Sequence, residues 1–269
     1  MKQIIIFTFL GLILSFQSIA QDGSKLFMRV QYSVTALEDF GKKQTDDWMY
    51  LDLGNNVSVY YSYFNHIRDS TVQSQRKLGY SVFEIIENIK GTKRGNKDIF
   101  LFLSNNKTLN HYSIITADYY MVTEPVEQIK WITTRETATI LNYKCFKATA
   151  NFRGRDWTAW FTQDIPVSGG PWKLNGLPGL VLKAEDSEKH YTFECMAIGK
   201  IDKTLQMSDY SKYSSVSKKE FDMLLYKFKT NPLAVLENKG VTIGVAKDAN
   251  GRVIDVNQKM KTQYNPIER

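Results

Sequence analysis

The chain has 269 residues, of which 43% are hydrophobic, 23% charged and 13% aromatic, with a formal net charge of +7. That balance excludes a disordered chain, a collagen-like repeat and a coiled coil. A mean hydropathy of −0.34 excludes a polytopic membrane protein.

The first element is an address. Lys2 supplies a positive start, Ile4 to Leu14 is an uninterrupted apolar stretch, and Ser18-Ile19-Ala20 ends it with small residues. This is the pattern of a cleavable secretory signal over residues 1–20, with cleavage before Gln21. As a helix the apolar stretch spans about 16 Å, short of the roughly 30 Å hydrocarbon core of a bilayer. No Cys lies near the cleavage site, so a lipid-modified N-terminus is not expected. The expectation is a periplasmic or secreted protein with no membrane span after cleavage and one β-rich domain over 21–269.

Most of that domain reads as strand. Met28, Val30, Tyr32 and Val34 alternate with polar residues, the period of a half-buried strand. Met49, Leu51 and Leu53 lead into Gly54-Asn55-Asn56, and Val57, Val59 and Tyr61 return as the second arm of a hairpin. A short helix is suggested by Val82, Ile85, Ile86 and Ile89. Ile99 to Leu103 is a continuous apolar run closed by an Asn105-Asn106 turn, and His111 to Val122 is rich in Tyr, Ile and Val.

Two further hairpins come next. One joins Cys145–Phe152 to Trp157–Thr162 across Arg153-Gly154-Arg155-Asp156; the other joins Leu180–Ala184 to His190–Ile198. A second helix follows Ser217 and Glu220, a capping-box pair, with Phe221, Leu224, Leu225 and Phe228 at helical spacing. It should stop before Asn231-Pro232. A last hairpin is expected from Val241–Ala246 and Arg252–Val256. Strands that come in hairpins predict one antiparallel, strongly curved sheet or part-closed barrel with two or so helices packed on it, a mainly β or α+β fold.

Residues 153–180 stand apart. They hold three of the six Pro, five of the sixteen Gly and three of the five Trp, which makes a rigid, aromatic, irregular loop. Arg153, Arg155, Trp160, Trp172, Leu177 and Pro178 are therefore the expected surface for a ligand or partner. The residues leave a second reading open, in which Trp160 and Trp172 plug the end of the sheet. In an oxidising compartment Cys145 and Cys195 are either bridged or two separate thiols. Strand parity puts Cys195 on an apolar face and Cys145 beside Lys147 and Thr149.

The chemistry is sparse. The sequence lacks a His-Glu-x-x-His, a Gly-x-Ser-x-Gly, a phosphate-binding Gly-rich loop and an EF-hand. His66, His111 and His190 read as strand or loop surface residues, Asp46-Asp47 and Asp69 as solvated acids, and Ser168 as a turn residue. No catalytic residue, metal or cofactor is expected. Lys and Arg alternate with acids with no block of five like charges, and nucleic acid is not an expected partner.

Residues 145–182 read CFKATANFRGRDWTAWFTQDIPVSGGPWKLNGLPGLVL, and the chain closes on Asn265-Pro266-Ile267-Glu268 before a final Arg. This resembles the GLPGLI family of secreted proteins of Bacteroidota. The naming motif is Gly176-Leu177-Pro178-Gly179-Leu180, with Val181 in place of Ile. Ala159-Trp160, Ile165-Pro166 and Gly170-Pro171 precede it in the family's order. The resemblance implies no assigned activity or cofactor, and an association with TonB-dependent outer-membrane receptors. The leading expectation is a non-catalytic envelope protein that binds a ligand or partner, such as that receptor or a small apolar or peptide ligand. Two alternatives stay open: a carrier with an aromatic hollow in a curved sheet under a helical lid, and an enzyme with a dispersed site.

Overall fold

A computed structural model describes residues 24–42, 44–205, 210–241, 250–253 and 262–269. The signal segment and most of the last expected hairpin lie outside them.

The chain is mostly β. Six strands run in sequence as neighbours: β1 (Lys25–Ala36), β2 (Thr45–Gly54), β3 (Val57–Ser62), β4 (Ile99–Leu103), β5 (Thr108–Ile115) and β6 (Asp118–Pro125). Five more form a second antiparallel meander: β7 (Ile132–Ile140), β8 (Tyr143–Phe152), β9 (Arg155–Thr162), β10 (Leu180–Asp186) and β11 (Tyr191–Thr204). The two meanders join where β11 pairs with β1 along nearly its full length, from Lys25 opposite Thr204 to Ala36 opposite Tyr191. A two-residue β12 (Ser214–Ser215) adds a parallel edge to β6, completing a twelve-stranded mixed sheet that is not closed by hydrogen bonds.

The sheet curves until its far ends meet. Strands β6 and β8 sit near opposite ends of the strand order. Even so, Arg153 at the end of β8 reaches Glu124 of β6 at 3.2 Å. The expected curved, hairpin-built sheet is what the chain forms.

Each turn has a local cause. Arg153 (φ 52°) and Gly154 (φ 75°) take successive positive φ values, the geometry that matches the twist of a two-residue hairpin. The Tyr-rich run 111–122 divides into β5 and β6 at Thr116, which also has positive φ.

Among the described residues, four α-helices complete the fold. The short expected helix is α2 (Val82–Ile89), closed by a full capping box between Ser81 and Glu84. The longer one is α3 (Lys218–Thr230), whose N-cap Ser217 accepts from the Glu220 N–H. Asn231 ends α3, and its side chain caps α4 (Pro232–Glu237), because Pro is well placed in a first turn. The fourth, α1 (Tyr63–Lys77), has no fully buried residue. It docks on β2 through Trp48, whose ring lies 5.8 Å from Tyr63 and 5.3 Å from Phe64.

The main core lines the concave face, and the 163–179 loop folds into it. Trp172 is 4% exposed and lies 5.7 Å from both Trp157 and Phe152. The buried Tyr32 hydroxyl donates to the Val181 carbonyl at 2.7 Å. Gly179 has φ 152°, and a Cβ there would stand 2.0 Å from the Thr162 carbonyl oxygen. The Leu-Pro-Gly turn therefore has room only for glycine at that place.

Candidate functional site

The loop singled out by its composition is not a free surface. Trp172 and Leu177 are buried, Trp160 and Arg153 are half-buried, and Pro178 alone of the six expected surface residues is fully exposed. The apolar loop carries enough hydrophobic side chain to fill the hollow of the sheet, so burial wins over display. The structure bears out the plug reading at Trp172, while Trp160, on β9, is only half-buried.

Arg155 is 3% exposed and forms a buried pair with Asp186 at 2.7 Å. Its guanidinium also donates to the Asn265 side chain (2.7 Å) and to the Pro266 and Ile267 carbonyls (2.6 and 3.1 Å). Asn265, 1% exposed, donates onward to the Leu37 carbonyl. Arg153 pairs with Glu124, Glu127 and Glu268. The two arginines thus hold the closing Asn-Pro-Ile-Glu tail to the hairpin and leave no open anion site.

Buried Lys173 pairs with Glu124 and, at 2.7 Å, with Glu268. Burial pushes the Glu268 carboxyl up, but Lys173 and Lys218 outweigh it and hold the group at about 2.

Cys145 and Cys195 are both buried and both free. Strands β9 and β10 lie between theirs. Cys145 is fully buried although Lys147 and Thr149, on the same face of β8, are only half-buried. Burial, above all, pushes the Cys195 thiol up to about 12, so it is an inert thiol.

The open site lies elsewhere. A cleft of about 530 Å³ is bounded by β1–β5 below, α3 and the tail above, and the 94–98 segment at the side. Its walls include Phe100, Trp172 and Phe221, all buried behind the surface. Trp172 therefore serves both regions: it packs in the core and closes one end of the cleft.

The polar groups of the cleft converge from distant parts of the chain. Tyr60 of β3 is 2% exposed, and its hydroxyl has no hydrogen-bond partner. The Trp172 backbone lies beside it without completing a bond, while burial and the nearby Asp47 charge push the phenol pKa well above its ordinary value. Asp47 accepts from Asn96 N–H (2.6 Å), Trp48 N–H (2.7 Å) and the Ser62 hydroxyl (2.9 Å). Burial outweighs those bonds and raises its pKa.

His111 of β5 is 7% exposed, stacked on Phe100 at 4.4 Å and edge-on to Phe221 at 5.0 Å. Its Nε2 stands 3.2 Å from Asp98 but out of line for a hydrogen bond. Burial pushes the Asp98 carboxyl up, but His111 and Ser113 outweigh it and hold it below the usual range.

The histidine and the acid were expected on solvated surface. Asp47 lies on a strand rather than a loop, and His111 faces the concave side of β5, so both point inward. Ser168 is the exposed turn residue it was expected to be, accepting from the Gly176 N–H at 3.2 Å. His66 is exposed as expected. Asp186, Glu188 and His190 bring ligand-type atoms within 4.8 Å of one another. Arg155 already engages both acids, so the group is an ion-pair cluster.

A family model described as "N-glycanase peptide, N-terminal domain" matches residues 66–228, which spans α1 through α3 and most of the cleft. The chain belongs to that family. Among solved structures, two crystal forms of PNGF-II share the fold, each at 15% identity over 76% of this chain, with TM-scores of 0.51 and 0.50. The chain spans about a third of PNGF-II's length, 34% and 33% in the two forms. A LolA superfamily protein, NE2245 from Nitrosomonas europaea, aligns at 9% identity and a TM-score of 0.26 over 70% of this chain and 90% of its own, too low to bear on fold or cargo. A search of curated proteins finds no match.

The matched stretch holds both the 153–180 loop and much of the cleft lining, while Asp47 and Tyr60 precede it and the Asn265–Glu268 tail follows it. No sequence signal marks that site, because its groups come from residues as far apart as Asp47, Tyr60, Asp98, His111 and Glu268.

Proposed function

We propose that this N-glycanase N-terminal domain is a non-catalytic binding module that holds a hydroxyl-rich ligand of saccharide size in the cleft. The observation that carries the reading is the buried Tyr60 hydroxyl, which has no hydrogen-bond partner and lines the same cavity as His111, whose Nε2 faces Asp98 at 3.2 Å. A buried polar group left unpaired costs about 1–3 kcal/mol, and a molecule bound in the cleft would satisfy it. Hydroxyls both donate and accept, which suits a phenol, an imidazole and the carboxylates of Asp47 and Asp98. The apolar wall at Phe100, Trp172 and Phe221 suits the C–H faces of a sugar ring. The family description names an N-glycanase, which makes an N-linked oligosaccharide the first ligand to try.

The carrier alternative shares this geometry, since α3 covers the hollow as a lid, but the polar lining favours a polar cargo. We read the chain as a GLPGLI-type envelope protein delivered by the signal over residues 1–20. A receptor partner would have to use a surface other than the buried 153–180 loop.

Calorimetric titration with an N-linked oligosaccharide tests the reading. Saturable one-to-one binding that weakens about tenfold in Tyr60→Phe is expected, one hydrogen bond being worth about 1.4 kcal/mol there. Binding unaltered by Tyr60→Phe, or none for the parent chain, contradicts it.

A further inference from the structure

Outside the cleft, the largest unexplained feature is the α1–α2 helical hairpin. Arg68 of α1 donates to the Ile89 carbonyl at the end of α2 (2.8 Å) and to Thr92 (2.7 Å), so the two helices lie antiparallel. Successive residues of a helix turn by about 100°. On α2 that places Ile85, Ile89, Val82, Ile86 and Phe83 in one continuous apolar arc of about 160°, with Glu84, Glu87 and Asn88 opposite. Only one side of the arc is covered: Ile85 and Ile89 are buried at 5% and 9%. The other side is open, with Val82 at 70%, Phe83 at 73% and Ile86 at 53% exposed. The connection adjoining it adds Leu78 at 73% and Tyr80 at 46%. Large apolar side chains are rarely left clustered in water without a partner.

The charges around the patch say which partner. Residues 63–97 hold seven Lys and Arg against three Asp and Glu. Arg76 and Lys77 close α1 beside the exposed tip, and Lys90 and Lys93 follow α2; all four are exposed, and Arg94 and Lys97 beyond them border the cleft instead. The acids of α2 lie on its polar side, exposed but locally engaged. Glu84 accepts from the Ser81 N–H and hydroxyl at 2.8 and 2.7 Å, and Glu87 is held by Lys90 at 3.3 Å. An open apolar helix face with an aromatic residue at its end and long basic side chains on its flanks is the composition of an interfacial helix. The Lys and Arg stems can lie along the apolar layer while their charges reach headgroups.

We propose that the α1–α2 hairpin seats the protein on an anionic lipid surface, inserting Leu78, Val82, Phe83 and Ile86 into the interface while the basic rim pairs with headgroups. The proposal stands apart from the ligand in the cleft, and either can hold without the other.

The test is flotation of the full chain with vesicles of phosphatidylcholine and phosphatidylglycerol, against phosphatidylcholine alone, at low and high salt. Binding to the mixed vesicles, weakened by salt, is expected. The triple variant Val82→Ser, Phe83→Ser, Ile86→Ser should bind at least about tenfold more weakly, while melting near the parent because these side chains are already exposed. Phe83→Trp gives an independent readout in a folded chain. Its added emission should shift to the blue and be quenched by brominated lipid when mixed vesicles are present. Failure to bind mixed vesicles, binding unaltered by the triple variant, or an added indole emission in Phe83→Trp that vesicles leave unmoved each overturns the proposal. A parent dimer that the triple variant dissociates would give the patch to a second copy and overturn it as well.

Discussion

The two ends of the concave face are built from the same kinds of residue and treated in opposite ways. Under β8–β11, the 163–179 loop fills the hollow with Trp172, Leu174 and Leu177, and the tail seals the rim through Arg155, Asn265 and Glu268. The central polar groups there are bonded: Arg155 donates to four oxygens, and Tyr32 donates to Val181, while Arg153 Nε and His190 Nδ1 at the rim meet carboxylates only as ion pairs. Under β2–β5, α3 bridges a cavity instead of filling it, the Tyr60 hydroxyl is left without a hydrogen bond, and His111 meets only Asp98, at 3.2 Å. A fold that packs one end tightly could have packed the other. The contrast argues that the second end is kept open for use, since buried polar groups without partners persist where something binds them.

The comparison breaks first at Trp172. Trp172→Ala should lower stability by about 3–5 kcal/mol, a fall on the order of 10 °C in melting temperature, because it empties the joint between plug and cleft. A melting temperature within a degree or two of the parent would return the loop to the surface role its composition suggested. Arg155→Met should cost nearly as much, about 3–5 kcal/mol, by leaving Asp186 buried without its cation. Chemical denaturation measures both.

Glu268 gives a prediction in pH. Its carboxyl is held at about 2 in the folded chain, against an ordinary 4.5. A depressed carboxyl stabilises the fold above the ordinary value, and that contribution is lost as pH falls from about 5 toward 2. Glu268→Gln should flatten this stretch of the stability profile. An unchanged acid limb would mean that the tail is not held through Glu268.

The smallest effect on stability, and the sharpest on function, is expected from Tyr60→Phe. Removing an unpaired buried hydroxyl should leave stability within about 1 kcal/mol of the parent or raise it. A clear loss, read by the same denaturation, would show that the hydroxyl is satisfied in the empty protein.

Much of the fold was legible because alternation and turn chemistry are local. The Gly54-Asn55-Asn56 and Arg153-Gly154 turns, the Ile99–Leu103 run and the α3 spacing all appear where the sequence places them. What escaped was decided by contacts rather than by pattern. Helix α1 carries no apolar stripe and is held by the Ser62 cap, the Trp48 rings and Arg68. Strand β7 reads as alternating Thr and charge, and only its place at the sheet edge makes it a strand. The Trp-rich loop was noticed for the right reason, its rigid aromatic composition. Its burial, however, depends on a hollow that only the full curve of the sheet creates. The cleft was invisible for the same reason: β2, β3, β5 and the tail supply one or two groups each, and none stands out in its own segment.

The most direct test of the cleft as a binding site is native mass spectrometry of the protein recovered gently from its own cells, beside Tyr60→Phe prepared in the same way. A one-to-one adduct of saccharide mass on the parent chain, lost or strongly reduced in Tyr60→Phe, is the predicted result. A bare parent chain that stays bare when N-linked oligosaccharide is added, or an adduct equally occupied in both proteins, would contradict it.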